Sequence, residues 1–247
     1  MDVFGTGGGI HPVESDGART LKTLDPMSAD PMFWLLQAND SAYPSGAYAH
    51  SFGLEELVES GLVRTPQDLE RFLENQVLPA LRVFEIPFFA RAHAAAVAGD
   101  GRILLEIDRE LDAWRLPAEI RDASRRIGSQ RLDLLAQLDP TPLVLGHREK
   151  SPRSHHLVVT ALELSRLPVA DAARAFAYQS IAGLAAASMK LMRIGQTSCQ
   201  TILLRCLSKL GAEMDTSLTA DPDGWFNPML EIASLRHARA HARLFIS

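Results

Sequence analysis

The stretch Ala49-His50-Ser51-Phe52-Gly53 puts a serine between a histidine and a small-residue turn. It differs from the Gly-x-Ser-x-Gly nucleophile elbow only by alanine at its first position, so Ser51 is the candidate nucleophile of a serine hydrolase. An elbow needs a buried strand upstream that feeds a tight turn into a helix. Here "SAYPSGAY" precedes it, and Pro44 and Gly46 read as a turn. The serine lacks the element that would make it reactive.

The other reactive side chains fare no better. His155 and His156 are adjacent, so on a helix they point about 100° apart and cannot share one metal. His237 and His241 have the i, i+4 spacing of a one-face metal pair, but Arg236, Arg239 and Arg243 surround them. A solvated basic face explains them better. Cys199 and Cys206 have neither a CxxC partner nor a neighbouring histidine, which points to buried free thiols. The carboxylates of "ELVES" and "DLERFLEN" fit exposed helix faces. No metal ligands and no catalytic set emerge.

The elements that would position these residues are helical. "PMFWLLQA" is a short helix ending near Asn39–Asp40, and a second begins at or after Ala47 and runs to Ser60. Thr65-Pro66-Gln67-Asp68 is a capped helix start, followed by Leu69, Phe72, Leu73 and Val77 at helical spacing. Pro79 and Pro87 are expected to kink or break the helical pattern that continues beyond Val77. Ile103, Leu104, Ile107, Leu111 and Trp114 share one face of the next helix, and another runs from Pro117 to Leu138.

Residues 139–152 read as a loop, with helices resuming at 154–165, 168–192 and 196–210. A loop over 211–226 then leads to a helix opened by Asn227 and Pro228. "RILLEI", "HLVVTAL" and "TILLRCL" are short apolar runs without the turn pairs that bound hairpins. The fold class is all-α, a single-domain helical bundle without internal repeats. The alanine-rich helix from Pro168 is expected at its centre.

Residues 1–30 carry a "GTGGG" run and few large apolar side chains, and read as a disordered N-terminal arm. Residues 31–226 make the helical domain, and 227–247 a C-terminal docking helix or tail. A formal charge of -5 argues against nucleic acid as the main partner. No basic-then-apolar leader is visible. The longest uncharged run, 175–189, falls short of the ~20 apolar residues that span a bilayer. The expectation is a cytoplasmic protein without membrane attachment.

Two stretches stay odd for a purely structural role. "MKLMRIGQTSCQ" breaks a helix at Gly195 inside an apolar region. "RHARAHARLFIS" ends the sequence on an apolar "LFI" directly after basic residues. An end that is both capped and apolar suggests docking.

These same stretches carry a resemblance. "SAYPSGAYAHSFGLEELVESG" resembles the N-terminal signature of the urease accessory protein UreF family, "MKLMRIGQTSCQ" its basic-Leu-x-x-aliphatic-Gly-Gln-Thr segment, and "LEIASLRHARAHARLFIS" its tail. Ala47 stands where that family has the second glycine of a pair, and Arg193 where proline is common.

The resemblance implies a non-catalytic, homodimeric maturation factor for apo-urease. Its partners would be a UreD- or UreH-type protein and a UreG-type GTPase. Nickel would be handled by the complex and GTP bound by the GTPase, with no cofactor of its own. Partner-binding residues carried over are Tyr48, His50, Ser51, Glu55, Lys190, Arg193, Gln196, Arg236, His237, Arg239, Arg243, Leu244 and Phe245. Pro44, Gly46, Gly53 and Gly195 would shape turns. Two other readings compete: the Ser51 hydrolase and a generic helical interaction protein.

For the tail, residues 228–247 should form a helix that docks on a partner and adds little to the chain's own core.

Overall fold

The computed structural model describes residues 30–47, 50–224, 227–239 and 243–246. Every regular element among them is a helix. The expected arm at 1–30, except Asp30, lies outside the described residues, as do Tyr48 and His241. No described helix is long and apolar enough to cross a membrane.

The chain opens with α1 (Pro31–Asn39), whose first turn is capped by the Asp30 carboxylate, and α2 (Leu54–Glu59). Next comes α3 (Pro66–Phe72), begun by a reciprocal box. Thr65 Oγ1 accepts the Asp68 N–H at 3.2 Å, and the Asp68 carboxylate accepts the Thr65 N–H at 2.9 Å.

The expected breaks at Pro79 and Pro87 do not occur. Helix continues through a π turn (Leu73–Val77), α4 (Leu78–Ala80), a second π turn (Leu81–Glu85) and α5 (Ile86–Val97). The residue before each proline donates five positions back, Leu78 to Leu73 and Ile86 to Leu81. A widened turn moves the carbonyl that a proline ring would strike, so the helix survives.

Beyond it lie α6 (Gly101–Trp114), α7 (Ala118–Leu138), α8 (Pro142–Lys150), α9 (His156–Glu163), α10 (Val169–Leu191), α11 (Gln196–Thr219) and α12 (Pro228–His237). Helix α8 occupies the expected loop at 139–152. Thr141 Oγ1 accepts the Val144 N–H and Pro142 takes the first helical position, the same start signal as Thr65-Pro66. Helix α11 runs past Leu210 to Thr219 because Met214 and Ser217 still bury. It runs alongside the α3–π–α5 helix in the same direction, joined by Glu70–Arg205, Glu74–Lys209 and Arg82–Glu213. These exposed pairs add little stability, but their order fixes the register.

The centre is α9 rather than α10. Every residue from Leu157 to Glu163 is buried, as expected of a helix that is apolar all round. Helix α5 packs against it, and Phe88, Phe89 and Ala92 of α5 belong to the same core. Helix α10 buries Ala172, Ala173, Ala177, Ala185 and Ala187 on one face but leaves Tyr178 and Met189 exposed.

Candidate functional site

The motif around Ser51 is a helix start. Phe52 (φ 49°) and Gly53 (φ 86°) are two successive left-handed residues that turn the chain into α2. The Ser51 carbonyl accepts the Leu54 N–H at 3.1 Å, and its hydroxyl the Glu55 N–H at 3.4 Å. Gly53 lies in van der Waals range of Leu230 and Ala233 of α12, and its positive φ is what favours glycine there. Ser51 is fully buried, and the strained conformation falls on Phe52, not on the serine. No strand precedes it among the described residues. This geometry does not support a nucleophile.

Glu55, four residues on, is the centre of the site. Its side chain is buried, and it receives three hydrogen bonds from the far end of the chain. His237 Nε2 lies 2.8 Å from Oε2, and the Leu244 and Phe245 N–H groups donate at 2.6 and 3.0 Å. His237 Nδ1 lies 2.8 Å from Glu119 Oε1 of α7. The Ser234 hydroxyl donates to the other Glu119 oxygen at 3.3 Å, and Arg243 Nη1 is 3.5 Å from Oε1.

The tail is thereby folded onto the body. Phe245 is 4% exposed and carries the Lys190 ammonium 5.0 Å from its ring centroid, while Leu244 and Ile246 on either side are exposed.

Electrostatics obey the packing. Burial alone would pull His237 down, but the bonds to Glu119 and Glu55 outweigh it and its pKa is raised. Burial would push Glu55 up, but the Leu244 N–H, His237 and the Phe245 N–H outweigh it, and its pKa is lowered. Both shifts favour the charged pair, in which an imidazolium sits between Glu55 and Glu119. While protonated, His237 commits both ring nitrogens as donors and has no lone pair to offer a metal.

Two further polar assemblies are interior. Arg131, fully buried, donates to Glu163, to Gln179 Oε1 at 3.1 Å and to the Ala38 carbonyl at 3.0 Å. Tyr43 also donates to the Glu163 carboxylate, and Trp34 donates to its carbonyl at 3.0 Å. Asp108 accepts from Ser151, Ser154 and the His155 N–H at 2.7–2.8 Å, with His147 bonded to Ser154 and His155 to Ser124. Both tie elements together across the fold.

No group of three or more histidine, cysteine, aspartate or glutamate side chains could hold a metal among the described residues. Cys199 and Cys206 are free and buried, and burial pushes the Cys206 thiol up to about 11.

The structure thus unites some of the expected site residues and separates others. His50, Ser51, Glu55, His237 and Phe245 are interior and present almost no side-chain surface to a partner. Their expected role in direct binding is corrected: Glu55, His237 and Phe245 fix the tail to the body, Ser51 accepts an N–H at the start of α2, and His50 is buried in the turn before it. The expectation that the tail adds little to the core is corrected for the same reason. Helix α12 ends at His237, and 243–246 is not helical.

Lys190, Arg193, Gln196, Arg236, Arg239, Arg243 and Leu244 are exposed. Gly46 (φ 74°) makes a turn that only a residue without Cβ takes easily, and Pro44 lies in the same turn. Gly195 caps α11 with φ −73°, a conformation that does not demand glycine. Glu119 is the residue sequence reasoning missed. It reads as an ordinary acidic first turn after Pro117, and nothing local ties it to His237.

The fold and this site define an all-helical protein whose motif residues hold chain segments in place. A family model described as UreF matches residues 63–207. Three proteins named urease accessory protein UreF are similar to the chain. That of Bacillus sp. strain TB-90 is 28% identical over 86% of this chain and 97% of its own. That of Azoarcus sp. strain BH72 is 30% identical over 88% and 96%. That of Azotobacter vinelandii is 31% identical over 87% and 99%. The chain belongs to the UreF family.

Proposed function

We propose that this chain is a urease accessory protein that supports nickel insertion into apo-urease as a non-catalytic chaperone. It docks through its C-terminal segment onto a UreD- or UreH-type protein, and the pair recruits a UreG-type GTPase. GTP belongs to the GTPase and nickel is cargo of the assembly, so the chain needs no cofactor of its own. It acts in the cytoplasm.

One observation carries the docking reading. The two motif stretches at opposite ends of the chain meet at Glu55, where they hold a tail that buries Phe245 and turns Leu244 and Ile246 outward. Arg236 and Arg239 are exposed beside this apolar pair in sequence, a combination suited to a partner surface both apolar and acidic. Family membership supplies the urease client.

The homodimer has separate support. A cleft of about 1130 Å³ reaches from α1 and α10 inward to the first π turn, α7 and α9, and its α1 and α10 walls include Met32, Leu36, Tyr178 and the small residues Ala182, Gly183 and Ala186. Met32, Leu36 and Tyr178 are exposed, and small residues let a second copy approach closely.

The test is reconstitution. The cognate urease and its other accessory proteins are expressed with and without this chain, and urease activity and bound nickel are measured. Both should rise strongly only with the chain present. Urease that loads equally well without it would refute the reading.

A further inference from the structure

We propose that Glu55, His237 and Glu119 form a proton-controlled latch. It holds residues 243–246 on the body while His237 is protonated and releases them when that proton is lost. This rests on the reading of the tail as a docking surface for its biological meaning, but not for its mechanism.

The geometry is that of one clasp with several catches. Glu55 is the sole side chain that receives both the Leu244 and the Phe245 N–H in the described hydrogen bonds, and it does so with both oxygens. The same carboxylate pairs with His237, which reaches back to Glu119 at equal distance. Three parts of the chain distant in sequence, α2, α7 and the C-terminal segment, therefore converge on one imidazole that is fully buried. A neutral imidazole has a single N–H and can donate to only one of the two carboxylates. The other would face a lone pair at 2.8 Å. Deprotonation thus turns a charge-assisted pair of bonds into one bond and one repulsive contact.

The surrounding charges do not replace the imidazolium. From α2, Glu55 and Glu56 face this region, and from α7, Glu119 does. Arg236 of α12 lies 4.0 Å from Glu56, and Arg243 lies 3.5 Å from Glu119. Lys190 of α10 stands over the Phe245 ring. The two arginine side chains are more than a third exposed, so water screens them. Glu55 itself, at 3% side-chain exposure, has the buried His237 as its only cation in the ion pairs of the described residues.

Folding raises the His237 pKa, so its contribution is fully present below the ordinary histidine value of about 6.5 and is lost as pH rises through the raised value. The Glu55 pKa is lowered, so its share is present above the ordinary carboxylate range and is lost only in acid. The latch is closed from mildly acidic pH up to that raised histidine value and opens on the alkaline side.

The experiment reads the tail directly. Ile246→Cys, exposed in the fold, is labelled with a fluorophore in the full-length protein, where Cys199 and Cys206 are buried. Anisotropy is followed from about pH 6 to 9, a window that brackets the ordinary histidine value, with circular dichroism reporting on the body. The expected result is an anisotropy high at the acidic end that falls with a midpoint above about 6.5 while helicity holds. Glu119→Gln, at a side chain 12% exposed, should move that midpoint to lower pH. His237→Gln should abolish the transition.

NMR of the His237 ring in the unlabelled protein gives a second readout that needs no variant. Its titration should coincide with the anisotropy midpoint. A flat anisotropy across this range, a midpoint unchanged in His237→Gln, or a ring that titrates at or below about 6.5 would overturn the latch. A working latch in a protein that fails to capture any UreD-type partner would leave it standing and refute the docking reading instead.

Discussion

The two ends of the described chain solve one problem with different chemistry. Helix α1 and the turn after it are held by Arg131 and Glu163, and the C-terminal segment by His237 and Glu55. In each case a buried carboxylate gathers hydrogen bonds from a terminal segment: Glu163 from Tyr43 and, through its carbonyl, Trp34; Glu55 from Leu244 and Phe245.

The cations differ. A guanidinium keeps its proton at any pH a protein meets, whereas an imidazolium gives its proton up near neutrality. Tyr43 reinforces the contrast, because burial and then the Glu163 charge push its hydroxyl up and keep it a donor. One end is fastened permanently and the other conditionally, and the conditional end is the one with exposed apolar residues.

The largest effect should come from the permanent clamp. Arg131→Leu strands the Glu163 carboxylate in the core, at a cost of about 3–5 kcal/mol. At this chain length that lowers the melting temperature by roughly 6–20 °C in calorimetry. Arg131→Leu combined with Glu163→Leu should recover most of the loss, since neither charge is then left unpaired. A single variant that melts like the parent would mean that α1 is held by apolar contacts alone.

Acid provides the next largest effect, with a sign opposite to that of His237. Burial, then Arg126, lowers His50 to about 4, and burial, then Arg131 and Arg115, lowers His156 to about 3. Burial also lowers His93, His147 and His155. The folded state keeps these rings neutral, so stability is full above the unfolded value of about 6.5 and is lost as pH falls toward their folded values. Each proton taken up on unfolding steepens the slope by about 1.4 kcal/mol per pH unit. Denaturant melts at about pH 7, 6 and 5 should show it, and His156→Phe, next to Phe176, should reduce it. Stability that climbs on acidification would contradict the neutral assignment.

The smallest effect should be that of Ser51→Ala. It removes a helix-start hydroxyl, worth about 1 kcal/mol, and should leave urease activation largely intact. Covalent labelling of Ser51 by a serine-directed phosphonate would instead revive the nucleophile.

Much of this fold was legible because its signals are local. Thr65-Pro66 and Asn227-Pro228 announce helices that begin where they should, and the apolar runs at 103–107, 156–162 and 201–207 are helical. The same logic failed at Thr141-Pro142 only because the polar "HREK" behind it masked an identical start. Pro79 and Pro87 misled for a different reason: two π turns open space that the sequence does not reveal. At the candidate site, the motif residues were visible but their use was not. Glu55 and His237 are 182 residues apart, and no periodicity links either to Glu119. Nor could hydrophobicity separate the outward Leu244 and Ile246 from the inward Phe245, since that alternation depends on hydrogen bonds to Glu55.

The central claim, that the tail acts through its outward residues while its inward ones hold it, is tested most directly by Leu244→Asp with Ile246→Asp. Both positions are exposed in the fold, so the melting temperature and helicity should stay close to those of the parent. Capture of the UreD-type partner and urease activation should be lost, because two apolar anchors of ~1.5–3 kcal/mol each are replaced by charges. Full urease activation by this doubly substituted protein, folded and present at parental levels, would contradict the account.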